Sequence, residues 1–285
     1  MDVVLILLNY NDYHNTRKYI DFCTNYKDIY KIIVVDNCSN DNSFEKLSLI
    51  KNDKFDLIKT DKNGGYAYGN NFGIKYAKEK YNPKFFIISN PDVYFEEKII
   101  KQMVNQIGIN SEIGIISPKV SNINQNLPLA WKLPKYIDSI ISLSIFLDKI
   151  FRKKRYYNKE HFNTEISCVD VIPGSFFMIK SDVIFEVDLF DENTFLFGEE
   201  NILSYKLIKK GYKNYIINNC AYIHNHSESI NKSYKSYNEK YKILYNSLDY
   251  YNKVYLNTNK IQNLFLYIFF RLSVLEKLII SILKK

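Results

Sequence analysis

The sequence predicts an α/β fold: a mostly parallel sheet with helices on both faces, extended by helices toward its C-terminal end. Three observations carry this. Short apolar runs recur through the first half, each followed by a polar turn and a stretch with helical spacing. Those runs are apolar throughout instead of alternating, the pattern of strands covered on both faces. The alternation stops at about 121–164, resumes, and beyond 233 yields to helical spacing up to residue 285. The division expected is a sheet domain over 1–232, with 121–164 inserted, and a helical segment over 233–285. No internal repeat interrupts this order.

The first strand covers 3–8 (VVLILL), and a polar turn at 9–11 leads into a helical pattern reaching about Tyr26. Lys31–Asp36 (KIIVVD) is the second strand and 41–50 its helix. Residues 55–60 form the third, followed by a glycine-rich turn and a helix through about Lys80; 84–89 (KFFIIS) form the fourth. Inside the insertion a helical pattern spans 136–151 and ends in Arg152-Lys153-Lys154-Arg155. Strands are expected again at 168–172 and 175–180, then a helix around 199–210, then a strand pair at 213–217 and 221–224. Sheets of this kind bind ligands at the carboxyl ends of their strands, so the polar segments after each strand are where chemistry is sought.

Composition narrows the classes. Hydrophobic residues make up 46% and charged residues 25% of 285, which excludes collagenous, low-complexity and wholly disordered chains. Thirty-nine Lys+Arg against 31 Asp+Glu leave +8, favouring anionic partners: nucleic acid, acidic lipid or phosphorylated substrates. Nucleic acid is not the expected partner, because the lysines are dispersed and no RRM, KH or zinc-finger signature occurs. The 25 Tyr and 19 Phe read as compositional drift. Cys23, Cys38, Cys168 and Cys220 have no metal-finger spacing and read as reduced thiols. The start, Met1-Asp2 and six apolar residues, is too short for a signal peptide, and no run reaches the about 18 apolar residues of a spanning helix, so a cytoplasmic location is expected.

Five segments carry chemistry. Asp36 ends the second strand and is followed by Asn37-Cys38-Ser39-Asn40-Asp41. Asp41 or Ser39 suits a helix cap, whereas Asp36 comes too early for that and is read as accepting hydrogen bonds from a ribose or base. Asn63-Gly64-Gly65-Tyr66-Ala67-Tyr68-Gly69-Asn70-Asn71 follows the third strand; its glycines allow close backbone approach, and the following helix N-terminus attracts phosphate. The spacing is neither GxGxxG nor GxxxxGK[ST]. Ser89-Asn90-Pro91-Asp92 ends the fourth strand, and a single carboxylate there suits Mg²⁺ or Mn²⁺ completed by pyrophosphate and water. Phe195-Leu196-Phe197-Gly198-Glu199-Glu200 reads as an apolar strand, a glycine and paired acids, serving either the helix dipole or general-base chemistry. His224-Asn225-His226-Ser227-Glu228-Ser229 ends a late strand and suits a metal or a phosphate.

Together these segments resemble the family 2 glycosyltransferases of GT-A fold, in particular the non-processive rhamnosyltransferase-like branch. The resemblance covers about residues 1–230 and rests on VVLILLNYN, VVDNCSND, NGGYAYGNN, SNPDV, PGSFFMI, FLFGEE and the H-x4-S of His224 and Ser229, in that order. It implies inverting transfer of a sugar from a nucleotide diphosphate-sugar, dTDP-rhamnose or a UDP-hexose, to a hydroxyl of a glycan acceptor. Asp36 is then implied in nucleoside binding. Asp92 and His224 are implied as ligands of Mn²⁺ or Mg²⁺, with Asn90 replacing the first acid of the family's DxD. Glu200 is implied as the base with Glu199 second, and Asn9, Asn11, Asn63, Gly65, Ala67, Asn71 and Gly174 as further positions along the donor. All these cleft residues precede 233. Two departures stand out: the family's E-D-x-D-x-x-x-R reads here Glu199-Glu200-Asn201-Ile202 and ends at Lys206, so the last acid and the arginine are missing. A non-catalytic GT-A assembly partner is therefore the competing reading. The chain lacks Gln-x-x-Arg-Trp, so a processive polysaccharide synthase is not expected.

The segment 261–285 is apolar but interrupted by Arg271, Glu276 and Lys277. At 100° per residue Leu272, Leu275, Ile279, Ile282 and Leu283 share a face, with Lys277, Ser281, Lys284 and Lys285 opposite. Central charges make spanning costly, so the helix is expected to lie in the interface of an anionic membrane, with 152–155 as a second lipid contact. The competing reading is a helix packed on the domain or in a homodimer. A lipid-linked acceptor at the inner membrane face, in capsule or O-antigen synthesis, is the setting the resemblance suggests.

Overall fold

The computed structural model describes residues 2–121, 128–225 and 237–283. The first half alternates as expected: β1 (Val3–Asn9), α1 (Tyr13–Cys23), β2 (Lys31–Asp36), α2 (Ser43–Ser48), β3 (Phe55–Lys59), α3 (Gly65–Tyr81) and β4 (Phe85–Ser89). Next come β5 (Val93–Tyr94), α4 (Lys98–Ile109) and β6 (Ile113–Ser121). The inserted stretch forms α5 (Tyr136–Leu143) and α6 (Ile145–Arg155), and β7 (Ile166–Val169), β8 (Phe176–Lys180) and α7 (Ser181–Glu186) follow. The chain continues through α8 (Glu199–Lys209), β9 (Lys213–His224), α9 (Tyr237–Val254) and α10 (Lys260–Leu283).

Among the described residues, nine strands join one sheet of order β3-β2-β1-β4-β8-β6-β9-β5, with β7 also pairing with β9. β3, β2, β1 and β4 run parallel. β8 is antiparallel to both β4 and β6, β6 and β9 are parallel, and β5 and β7 are antiparallel to β9. An apolar run does not encode its neighbour's direction, so the mixed character of the second half emerges only in three dimensions. The central strands explain their composition: β1 and β2 bury every position but Leu8 and Lys31, because helices cover both faces. One face packs α1 and α4 around Tyr19, Ile100 and Met103; the other packs α3, α7 and α8 around Ala67, Ile184 and Leu203.

Two expected boundaries are corrected. The strand pair at 213–217 and 221–224 is the single strand β9, in which Ile217 and Ala221 face consecutive residues of β6 and the intervening residues bulge out. Asn218 N–H reaches instead to the Glu165 carbonyl at 2.8 Å. The helical pattern 136–151 breaks at Ser144, whose extended backbone ends α5 and whose hydroxyl accepts the Leu147 N–H to cap α6.

α9 and α10 build a third apolar cluster with α5 around Leu143, Tyr241, Leu248 and Leu266. The Tyr251 hydroxyl donates to the Pro134 carbonyl at 3.0 Å, and Asn252 Nδ2 to Ser139 Oγ at 2.8 Å. α10 turns Leu266, Phe269, Phe270 and Val274 toward this cluster, and a second apolar stripe stays outside. Ser273 is buried and Lys277 lies over the Tyr241 ring, while Leu272, Leu275, Ile279 and Ile282 face outward. Burial pushes the Lys277 ammonium down to about 8. The side chains of Ser281, Leu283, Lys284 and Lys285 lie outside the described residues. Among the described residues no helix is long and apolar enough to cross a membrane.

Candidate active site

Sheet pairing assembles the first part of the site. β5 follows β4 after Asn90-Pro91-Asp92 and pairs with the end of β9, placing Val93 opposite His224. Asp92 and His224, far apart in sequence, thereby meet: His224 Nε2 stands 3.1 Å from Asp92 Oδ1, and both side chains are buried. Asn90 N–H donates to the Ser175 carbonyl at 2.9 Å, fixing the turn against the loop before β8. His226, Ser227, Glu228 and Ser229 lie outside the described residues. Among the described residues no three His, Cys, Asp or Glu side chains cluster as a metal site. A carboxylate in contact with an imidazole is nevertheless a fitting two-ligand set for a cation that draws its other ligands from substrate oxygens and water. The nitrogen donor suits Mn²⁺ better than Mg²⁺.

The second part is the acidic pair. The segment 195–198 is not the strand expected from its apolar residues. Its carbonyls point elsewhere: that of Phe195 accepts from Tyr66 N–H at 3.0 Å and that of Leu196 from the Ser247 hydroxyl at 2.9 Å. Phe197 and Gly198 both take positive φ, 72° and 88°, and the reversal points the first turn of α8 back at the strand ends. Glu199 and Glu200 open that helix. Glu199 is buried, and desolvation together with the neighbouring Glu200 charge pushes its carboxyl up to about 8. Burial also raises Glu200, with backbone N–H groups of Glu200, Gly174 and Gly198 opposing the shift. Both carboxyls of the pair are thus held above the ordinary carboxylate range, and Glu199 keeps its proton near neutrality. Gly174 makes room for Glu200: a Cβ there would stand 3.0 Å from its Cγ.

Asn90, Asp92, Gly174, Glu199, Glu200 and His224 all line one cavity of about 500 Å³. The other sequence-predicted positions lie elsewhere. At the ends of β1 and β2, Asp36 is wholly buried; Asn9 Nδ2 donates to its Oδ2 at 2.7 Å and Ser39 N–H to its Oδ1 at 2.9 Å. Asn9 Oδ1 accepts from the Thr16 hydroxyl, Asn11 Oδ1 from Asn40 N–H, and Asn63 Oδ1 from Asn37 Nδ2 and Gly65 N–H. Gly65, at φ +90°, lies against the Phe195 carbonyl, which a Cβ would approach to 2.1 Å. Ala67 is fully buried in the core, and Asn71 ties α3 to Phe190 and Glu192. Ser39 caps no helix; it receives Asn11 N–H, while Asp41 accepts Ser43 N–H at the start of α2.

Comparison with known proteins fits this arrangement. The family model described as Glycosyl transferase family 2 matches residues 4–185, well over half of the chain. The chain belongs to glycosyl transferase family 2. It is 25% identical over 205 residues to the low-salt glycan biosynthesis hexosyltransferase Agl10 of Haloferax volcanii, an alignment covering 72% of this chain and 61% of that protein. The chain thus spans about three-fifths of that curated relative. Among solved structures, GalNAc-T7 with UDP, GalNAc and Mn²⁺ superposes with a TM-score of 0.62 at 15% identity, over 79% of this chain and 44% of that one. The mannosyltransferase PcManGT of Pyrobaculum calidifontis, in complex with GDP-Man and Mn²⁺, gives 0.59 at 12% identity, over 91% and 65%. These two likenesses establish the shared GT-A fold.

The departures from the family pattern have local causes. Ile202 is fully buried in α8 and is not among the cavity-lining residues, so an acid there would be buried. Lys206 Nζ donates to the carbonyls of Asp188 at 3.0 Å and Leu189 at 2.7 Å, holding the turn after α7. Sequence reasoning missed several wall residues. Tyr66 donates from its hydroxyl to the Gly174 carbonyl at 2.6 Å, and its signal was present within NGGYAYG. Trp131, the one tryptophan, donates from Nε1 to Asn201 Oδ1 at 2.8 Å and pairs its backbone with Val171 and Tyr156. Leu244 and Leu248 of α9 also line the cavity, which corrects the expectation that every cleft residue precedes 233.

Proposed function

We propose that the chain is an inverting, metal-dependent glycosyltransferase that moves a hexosyl unit from a nucleotide diphosphate-sugar to a hydroxyl of a lipid-linked glycan. The observation carrying this is the meeting, on one cavity of a family 2 fold, of the Glu199–Glu200 pair with Asp92 and His224. Glu200 takes the proton of the acceptor hydroxyl as its oxygen attacks the anomeric carbon. The carbon–oxygen bond to the diphosphate breaks on the opposite face, and configuration inverts in the single displacement. Glu199 keeps its proton near neutrality, so the pair carries one negative charge where two would repel. Asp92 and His224 would hold Mn²⁺ or Mg²⁺, which when bound neutralises charge on the departing diphosphate. Nucleoside contacts are assigned to the β1–β2 strand ends, around Asp36, Asn9, Asn11 and Asn63.

The rhamnosyltransferase-like motifs favour dTDP-rhamnose as donor; the hexosyltransferase relative and the neighbours solved with UDP or GDP-Man keep nucleotide hexoses beside it. The outward apolar stripe of α10 and the exposed Arg152, Lys153 and Lys154 support a peripheral position on an anionic membrane, in surface polysaccharide assembly. A donor-hydrolysis screen over nucleotide sugars, with and without Mn²⁺, tests the reading. Hydrolysis of one donor class that needs metal and disappears in Asp92→Asn is expected. Full metal-dependent turnover by Asp92→Asn, in a folded protein, overturns it.

A further inference from the structure

Beside the catalytic cavity lies a second one of about 560 Å³, built from residues 131–156 and Phe269 of α10. The two share Trp131, Pro134, Asp138, Arg155 and Tyr156 as a common wall. The second cavity has two chemistries. Its apolar lining comes from α5, α6 and α10, with Ile137, Ile141, Leu147, Phe151 and Phe269. Its polar lining is cationic: Lys132, Lys135, Lys154 and Arg155 contribute to it, against the single acid Asp138. That acid is already engaged, accepting the Lys135 N–H at 2.8 Å across the start of α5. Arg155 pairs with Asp148, while Lys132, Lys135 and Lys154 remain exposed at the rim. A ligand matching this lining has a hydrocarbon part and at least two negative charges next to it.

The surroundings point the same way. α6 buries none of its residues and shows Ile145, Phe146 and Ile150 to solvent. α10 turns Ser273 and Lys277 inward and presents Ile261, Leu264, Phe265 and Leu272 outward. The helices that wall the cavity thus also carry exposed apolar stripes, with Arg152, Lys153 and Lys154 exposed at the end of α6. Apolar surface edged by basic residues is complementary to an anionic lipid surface.

We propose that this second cavity seats the lipid diphosphate of the acceptor, its first hydrocarbon units against α5, α6 and Phe269 and its phosphates against Lys132, Lys154 and Arg155. The inference rests on the glycosyltransferase reading and names its acceptor class: a sugar joined through a diphosphate to a long hydrocarbon chain. The shared wall sets the geometry. A diphosphate at Arg155 leaves the attached sugar next to Trp131 and Tyr156, on the cavity that Glu200 lines, so the hydroxyl glycosylated belongs to a sugar close to the lipid.

Calorimetry on the full chain, without divalent metal, tests the site with farnesyl diphosphate, farnesol and inorganic pyrophosphate as probes. Farnesyl diphosphate is expected to bind about tenfold or more tighter than either half-probe, because both linings are engaged together. Lys132→Ala/Lys154→Ala is expected to weaken it about tenfold, and Leu147→Ser to weaken it while leaving pyrophosphate unchanged. Both lysines are exposed, so the double variant should keep the wild-type thermal midpoint; if Leu147→Ser fails to fold, the lysine pair still decides. Equal binding of farnesyl diphosphate and pyrophosphate, or binding indifferent to the lysine pair, overturns the inference. So does sedimentation as a dimer that ignores farnesyl diphosphate, since a second copy would then cover α10. Wild-type donor hydrolysis is measured in parallel: its presence alongside any of these negative results condemns the lipid site alone, and its absence condemns the glycosyltransferase reading.

Discussion

Two sets of strand ends in this protein carry carboxylates, and they are treated in opposite ways. At β1 and β2, Asp36 is closed inside a polar network: Asn9 and Ser39 donate to it, and Asn9 is held in turn by Thr16. At β4, β9 and the start of α8, Asp92, Glu199 and Glu200 instead line open space. The first arrangement satisfies charge with fixed dipoles and so holds these strand ends in one geometry. The second desolvates two neighbouring carboxyls, which raises the pKa values of both. A buried acid is therefore read through its partners: donors on every side fix its orientation, whereas a like charge beside a cavity tunes its proton affinity.

The largest effect should fall on the cavity. Glu200→Gln is expected to lower turnover by about 10²–10⁴-fold without moving the urea unfolding midpoint, the size of effect typical of a lost general base. Rate and stability measured on the same preparation check this, and a parallel loss of stability would break the contrast between the two regions. The next largest should be a stability loss at the other strand ends. Asn9→Ala removes the donors to Asp36 and Ser39 and the acceptor for Thr16, and is expected to cost about 1–3 kcal/mol in urea unfolding. A rise in donor KM beside that loss would support the nucleoside contacts assigned to these strand ends, and unchanged stability would break the contrast.

Glu199→Gln sharpens the comparison through pH. The native Glu199 carboxyl sits at about 8, above its ordinary 4.5, so the folded state holds the proton more tightly than the unfolded chain. Wild-type stability should accordingly fall as pH rises from about 4.5 to 8, and this fall should be smaller in Glu199→Gln, as thermal midpoints at pH 5 and pH 9 would reveal. The wild-type rate should also drop above about pH 8, where Glu199 gives up its proton, and the variant should lack that alkaline limb. The smallest effect expected is that of Trp131→Phe. It keeps an aromatic wall but loses the 2.8 Å bond to Asn201, and should change the acceptor KM by no more than about tenfold, read from initial rates with donor saturating.

Much of this site was legible because chain segments are labelled locally. An apolar run stopping at Asp36 or at Asn90-Pro91-Asp92 marks a strand end, and a glycine before paired acids marks the turn into a helix. What stayed hidden depended on partners far away in sequence. Nothing near Phe195-Leu196-Phe197 says that its carbonyls answer to Tyr66 and Ser247, so an apolar run there reads as strand. Asn71 and Ala67 share a motif with Tyr66, yet one residue lines the cavity while the others serve the core, because helical rotation sends them to different sides of α3.

By itself, then, the sequence determined the order and kind of most elements, the parallel half of the sheet, and the acids that meet on the cavity. Hydrophobic period, glycine placement and strand-end polarity are properties of a few consecutive residues. Only the tertiary structure decided that β8 turns the sheet antiparallel, that 213–224 is one bulged strand bringing His224 to Asp92, and that α9 closes the cavity. It also decided which way α10 faces. The sequence defines its apolar stripe, but whether that stripe meets the core or the solvent depends on what α5 and α9 offer it, and they offer the Tyr241 ring to Lys277. Pairing direction, burial and facing are settled by contacts between distant segments, and a local pattern carries no record of them.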